Sequence, residues 1–147
     1  MEFNKGGGVR RRAVQSRARV TVDSILDAAE MVFAKKGFAS ATTTRIAEKT
    51  GVSIGSLYEY FRDKEAIIVA VVGRCVDRGL EKTGAALTAV EEEGGNLRDA
   101  LHALTGAVID FHSENAALLR AVFNEGAHPP EVNRLFGQAL NALLKRL

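Results

Sequence analysis

Between Ala41 and Ile67 the chain reads ATTTRIAEKTGVSIGSLYEYFRDKEAI, and the spacing inside this stretch leaves few choices for the fold. Ile46 and Ala47, followed by Val52, Leu57 and Phe61, put apolar residues on the inward side of two short helices that meet at Gly51. The hydroxyls of Thr42 to Thr44 can accept from the free N–H groups of the first helix's opening turn. Gly51 then closes that helix, because a left-handed position costs glycine almost nothing. After Val52 alone, Ser53 can cap the second helix, so the turn is as tight as a helix-turn-helix requires. Ile54, Gly55, Ser56 and Tyr58 are left facing outward at the N-terminal end of the second helix. In helix-turn-helix units this is the end that meets base edges in the major groove.

The rest of the composition agrees with an all-α chain. Of its 147 residues 46% are hydrophobic, which is enough to fold, while two prolines, no tryptophan and long Ala/Leu/Val-rich runs favour helices over sheets. The formal charge of +2 conceals an asymmetry: residues 1–64 hold twelve Lys/Arg against seven Asp/Glu, and residues 65–147 hold eight against eleven. The N-terminal part is therefore the one suited to a polyanion, although a basic tail can equally be a solvated one. Cys75 is the only cysteine, which rules out a disulfide framework and a thiolate metal cluster and suits a reducing, cytoplasmic setting. Among Val71, Val72 and Val76 it reads as a small buried hydrophobe before a redox sensor. No secretory signal is visible, and the longest apolar stretch, Ala66 to Gly73, is too short to cross a bilayer.

Taken in order, residues 1–18 carry Gly6 to Gly8 and then Arg10, Arg11, Arg12 and Arg17 without apolar periodicity. The pattern predicts a disordered basic arm, able to lie in a minor groove or along phosphates. From Arg19 one apolar stripe runs through Val22, Ile25, Leu26, Ala29, Val32 and Phe33 and stops at Lys35-Lys36-Gly37, with Phe38 beyond it plugging the core. Residues 19–65 thus form a three-helix unit. Asp63 caps a long fourth helix carrying Ile67, Ile68, Val71, Val72, Cys75, Val76 and Leu80, which enters a helical region over 66–147. After the break at Gly94-Gly95-Asn96, Leu97, Leu101, Leu104, Val108 and Phe111 predict one apolar face, and Leu118, Leu119 and Val122 a helix over about 114–123. Gly126 to Pro130 reads as a loop, and Val132 to Leu144 as a last helix. An apolar helix running into Leu147 implies that the chain is part of a longer protein or that this helix packs on a partner.

From Val22 to Ile67 the sequence resembles the N-terminal domain of the TetR family of bacterial transcriptional regulators. The resemblance rests on Gly37-Phe38, the threonines, Ile46-Ala47, Gly51-Val52-Ser53, Gly55, Leu57-Tyr58, Tyr60-Phe61 and Lys64-Glu65, all at the family's spacing without gaps. It implies a helix-turn-helix domain joined by the fourth helix to a ligand-binding and dimerisation domain, incomplete in this chain. It also implies a ligand-responsive regulator, a repressor before an activator, that binds double-stranded DNA as a homodimer on a palindromic operator. By position, Thr44, Ile54, Gly55, Ser56 and Tyr58 match the base-facing set, Thr42 the cap, and Thr43, Ser53, Tyr60 and Lys64 the phosphate set. Arg45 could read a guanine bidentately, but its place beside the inward Ile46 favours a phosphate contact or a solvated side chain. Chemistry supports the division, since Ser56 can bond several base edges and Ile54 can pack on a thymine methyl, while Tyr60 and Lys64 offer donors to phosphates. The base-facing set lacks Arg, Asn and Gln, so specificity would lean on methyl contacts and DNA shape.

A small-molecule effector would bind among the later helices, where Phe111, His112, Leu119 and Phe123 are aromatic or polar residues on otherwise apolar helices; ordinary core packing is the competing role for each. An enzyme is the first rival reading. His102, His112 and His128 lie ten and sixteen residues apart, so none forms an i, i+4 metal pair with another, and no metal or other cofactor is expected. Asp110, Ser113 and Glu114 flank His112, but residues one or two apart on a helix do not face each other, so no catalytic residue is assigned. A helical interaction domain is the second rival, and it leaves Ser53 to Lys64 and the basic arm without a purpose. No membrane partner is expected.

Overall fold

The computed structural model describes residues 7–124 and 128–146, with side chains from residue 15 onward except at 124. Among the described residues seven helices follow one another: α1 Gly7–Lys36, α2 Thr43–Thr50, α3 Ile54–Tyr60, α4 Lys64–Glu92, α5 Leu97–Glu114, α6 Ala116–Asn124 and α7 Pro130–Leu144. Among the described residues there is no strand.

Local chemistry accounts for most boundaries. The Thr42 hydroxyl accepts from Arg45 N at 3.3 Å, Ser53 from Ser56 N at 3.0 Å and the Asp63 carboxylate from Ala66 N at 2.7 Å, each capping its helix. Gly51 ends α2 at φ +81°, and its N–H and that of Val52 both donate to the Ala47 carbonyl. Asn96 and Asp99 form a reciprocal capping box at the start of α5.

Two expected boundaries move. Residues 7–18 do not stand apart as an arm: α1 begins at Gly7, ahead of the predicted Arg19 start, because once the amphipathic part has nucleated a helix, Arg, Ala and Gln extend it at low cost. Residues 1–6 and the side chains of Arg10, Arg11 and Arg12 lie outside the described residues. At the other end Pro130 opens α7 and does not close a loop, since its fixed φ and missing N–H suit the first helical position; residues 125–127 lie outside the description.

Ile25, Ala29 and Phe33 of α1 meet Ile46, Leu57 and Phe61, and Phe38 plugs this core with its ring 5.7 Å from that of Phe33. Burying such a side chain contributes about 1.5–3 kcal/mol. The same core continues without interruption along Ile67, Ile68, Val71, Val72 and Cys75 of α4 to Leu118, Leu119 and Val122 of α6 and Val132 of α7. Helix α6 packs on α1 as well, so the helix-turn-helix and the helices after it share one apolar interior. The apolar face predicted for α5 is covered unevenly: Phe111 is buried, whereas Leu97 and Leu101 are exposed.

Candidate nucleic-acid interface

Helix α3 presents one face inward through Leu57, which is fully buried, and the opposite face to solvent. On that outer face Ile54, Gly55 and Tyr58 are exposed and Ser56 is half-buried, as their position next to the buried Leu57 demands. Thr44 and Arg45 are exposed on the first turn of α2, and Tyr60 is exposed at the end of α3. The structure therefore brings nine of the ten residues assigned to DNA onto or beside one surface made by the first turns of α2 and all of α3: Thr43, Thr44, Arg45, Ser53, Ile54, Gly55, Ser56, Tyr58 and Tyr60.

Two hydrogen bonds organise this surface. Thr43 Oγ1 and Tyr58 Oη are 3.0 Å apart and join the start of α2 to the middle of α3. Ser53 Oγ donates to Ser56 Oγ at 3.1 Å while accepting from Ser56 N, which orients the Ser56 hydroxyl. The Thr43–Tyr58 pairing is not visible in periodicity, because fifteen residues and a turn separate the two.

Lys64, which the resemblance assigns to a phosphate, opens α4, and its ammonium donates to three main-chain carbonyls of the α1–α2 loop, Phe38 at 2.8 Å, Ala41 at 3.1 Å and Ala39 at 3.3 Å, and lies 4.4 Å above the centre of the Phe38 ring. Beside it, the backbone N–H of Ala66, and after that the Arg62 guanidinium, hold the Asp63 carboxyl below the ordinary carboxylate range.

A network behind this surface escaped the sequence reading. Glu30 of α1 takes Arg74 at 3.2 Å and Arg78 at 2.9 Å, both from α4; Arg74 also pairs with Asp27 at 2.8 Å. Arg78 reaches on to Asn115 between α5 and α6 at 3.2 Å. The signal was present: Asp23, Asp27 and Glu30 form an i, i+4, i+7 acidic stripe, and Arg74 and Arg78 an i, i+4 basic pair. Cys75 is buried on the same helix, and that burial pushes its thiol pKa up, as suits a small hydrophobe and not a reactive thiolate.

Between α4, α5, α6 and α7 lies a cavity of about 290 Å³, walled mainly by apolar side chains. Three of the four pocket candidates, Phe111, His112 and Phe123, line it, and Thr83, Phe136 and Leu140 share the wall. Leu119 does not; it goes into the core with Leu118 and Val122 because α6 packs against α1. Gly79 makes room for the Phe111 ring, which a Cβ there would approach to 3.1 Å. His112 Nδ1 donates to the Val108 carbonyl at 2.8 Å, which leaves Nε2 for another partner. Among the described residues no three His, Cys, Asp or Glu side chains converge as a metal site, and no helix is long and apolar enough to cross a membrane.

Residues 25–71 match the family model described as bacterial regulatory proteins, tetR family. The HTH-type transcriptional regulator UidR of Escherichia coli K12 is 36% identical over 69 residues, covering 47% of this chain and 35% of its own. The HTH-type transcriptional repressor KstR of Mycolicibacterium smegmatis is 28% identical over 127 residues, covering 83% of this chain and 60% of its own. The chain thus spans about a third of the length of UidR and under two thirds of KstR. Among solved structures, a TetR family transcription regulator from Marinobacter aquaeolei VT8 superposes with a TM-score of 0.69 at 25% identity, covering 88% of this chain and 68% of that one. Residues 25–71 thus match the model of the tetR family of bacterial regulatory proteins, and the helical architecture around them is similar to that of a solved TetR family regulator.

Proposed function

We propose that the protein is a ligand-responsive transcriptional regulator, acting as a repressor, that reads a palindromic operator with the segment Ser53 to Phe61. The observation that carries this reading is the outer face of α3: Ile54, Gly55 and Tyr58 are exposed and Ser56 is half-buried on a helix whose other side is anchored by Leu57. Ser56 and Ile54 would meet base edges and thymine methyls, with Gly55 allowing close approach and Thr44 adding a contact from α2. Thr43, Arg45, Ser53 and Tyr60 would meet phosphates and fix register. A two-fold dimer would present two such helices to successive major grooves. That KstR is named a repressor favours this sign of regulation.

The effector in this reading is an uncharged, mainly apolar molecule that fills the cavity beside Phe111 and Phe123 and places one polar group on His112 Nε2. About 290 Å³ lies at the small end of ligand sites. Binding would release DNA only through different affinities for the DNA-competent and incompetent dimer spacings. The test is a salt titration of binding to the DNA immediately upstream of the protein's own gene against scrambled DNA of equal length. Tighter binding to the upstream DNA, weakening steeply with salt, supports the reading; no binding to either at low salt refutes it.

A further inference from the structure

The outermost side chain of α3 is not among those the resemblance assigns to DNA. Successive helical residues turn by about 100°, so the two farthest round from the buried Leu57 are Gly55 and Glu59, each about 160° away. Gly55 has no side chain, and a Cβ there would meet only Ser53 Oγ, at 3.8 Å. Glu59 is exposed and is therefore the one side chain on the outermost line of the helix. Helical side chains lean toward the N-terminus, which carries this carboxylate back over Gly55, toward the end that meets base edges. Among the described residues Glu59 has no hydrogen bond or ion pair, and the nearest cation in sequence, Arg62, is joined to Asp63 at 2.7 Å. A carboxylate left unneutralised on a surface that meets phosphates weakens binding to every DNA. Base edges in the major groove offer it few partners. Guanine O6 and N7, adenine N7 and thymine O4 are acceptors like itself, and only the amino groups of cytosine and adenine donate. The amino group of adenine stands beside N7, which repels a carboxylate, whereas that of cytosine stands beside a C–H.

We propose that Glu59 is a specificity-determining residue: its carboxylate accepts from the amino group of one cytosine in each half-site of the DNA. The proposal rests on the DNA-reading role given above and adds to it the base pair that this position selects. Gly55 serves the same contact, because its missing side chain leaves the base edge room to approach the turn over which Glu59 leans.

The experiment selects binding sites from a pool of random-sequence duplexes with the unaltered chain, Glu59→Ala and Glu59→Gln, and then measures affinity for the selected site with each of the four base pairs at every position. Because Glu59 is exposed and makes no contact that a variant would lose, both variants are expected to stay folded, which far-UV dichroism checks. In the unaltered chain one position of each half-site is expected to prefer C·G to the other pairs by about tenfold. Glu59→Ala should level the four pairs at that position to within about twofold and leave the other positions as they were. Glu59→Gln, whose amide both accepts and donates, should move the preference there to A·T, pairing with adenine N6 and N7. The same preferences in all three proteins overturn the proposal, even where the variants bind every duplex more tightly, since the carboxylate then only repels phosphates. If the unaltered chain enriches no sequence at all, the DNA-reading role itself fails, and this proposal with it.

Discussion

Replacing Glu30 by glutamine keeps the shape of the side chain and removes the one carboxylate that serves two arginines. Its oxygens lie 3.2 Å from Arg74 Nη2 and 2.9 Å from Arg78 Nη2, so the change removes two charge-assisted contacts at once. Hydrogen bonds to charged groups are worth about 1.5–3 kcal/mol each, and stripping one partner from a fully buried ion pair costs about 3–5 kcal/mol. Two features lower the figure here. The side chains of Glu30, Arg74 and Arg78 keep 26%, 25% and 40% of their exposure, so water screens the charges that remain. Arg74 also keeps Asp27, and Arg78 keeps Asn115. Against this, Arg74 Nε is buried without a partner and gains none. The expected loss is about 1.5 kcal/mol, or a fall in Tm of roughly 5 °C for a chain of this size. Urea unfolding of Glu30→Gln, Arg78→Met and the double variant would give it directly, with a coupling of about 1 kcal/mol between the two sites. A loss below about 0.5 kcal/mol with no coupling would refute the claim that this network fastens α1 to α4.

Gly51→Ala should cost about 1 kcal/mol in the same assay, entirely through the backbone, since φ is +81° while a Cβ there meets nothing within 4 Å; unchanged stability would contradict the left-handed cap. Asp63, whose pKa is lowered first by the Ala66 N–H, contributes stability above the ordinary carboxylate range that is lost as pH falls through its depressed value. Asp63→Asn should therefore flatten the acid limb of a stability–pH curve, and an identical limb would show that the cap does not favour the ionised form. Ser56→Ala is expected to alter sequence preference at one base pair, whereas Tyr60→Phe should weaken binding to every DNA alike; competition assays with single-base operator variants would reverse these roles if the split between base and phosphate contacts is mistaken.

What could be read before any coordinates were seen is what depends on neighbours within about four residues. The caps Thr42, Ser53 and Asp63, the left-handed Gly51 and the inward faces of α2, α3 and α4 are of this kind, because capping and the 3.6-residue period are local properties of the chain. The outward set on α3 was legible for the same reason, being the complement of Leu57 and Phe61. Periodicity could not say whether an apolar face would be covered, so Leu97 and Leu101 keep the helical spacing of Phe111 but lie exposed. Nor could it say which interior a residue joins: Leu119 shares the composition of a pocket wall and goes instead into the core on α6, against which α1 packs. Lys64 is the clearest case, since a flexible four-carbon stem can aim its ammonium outward or back, and only the fold carries three carbonyls from 23 to 26 residues earlier into its reach. Local sequence thus determined which helices form and where they stop; the tertiary structure decided which long side chains and apolar faces find partners, because those partners are brought together only by packing.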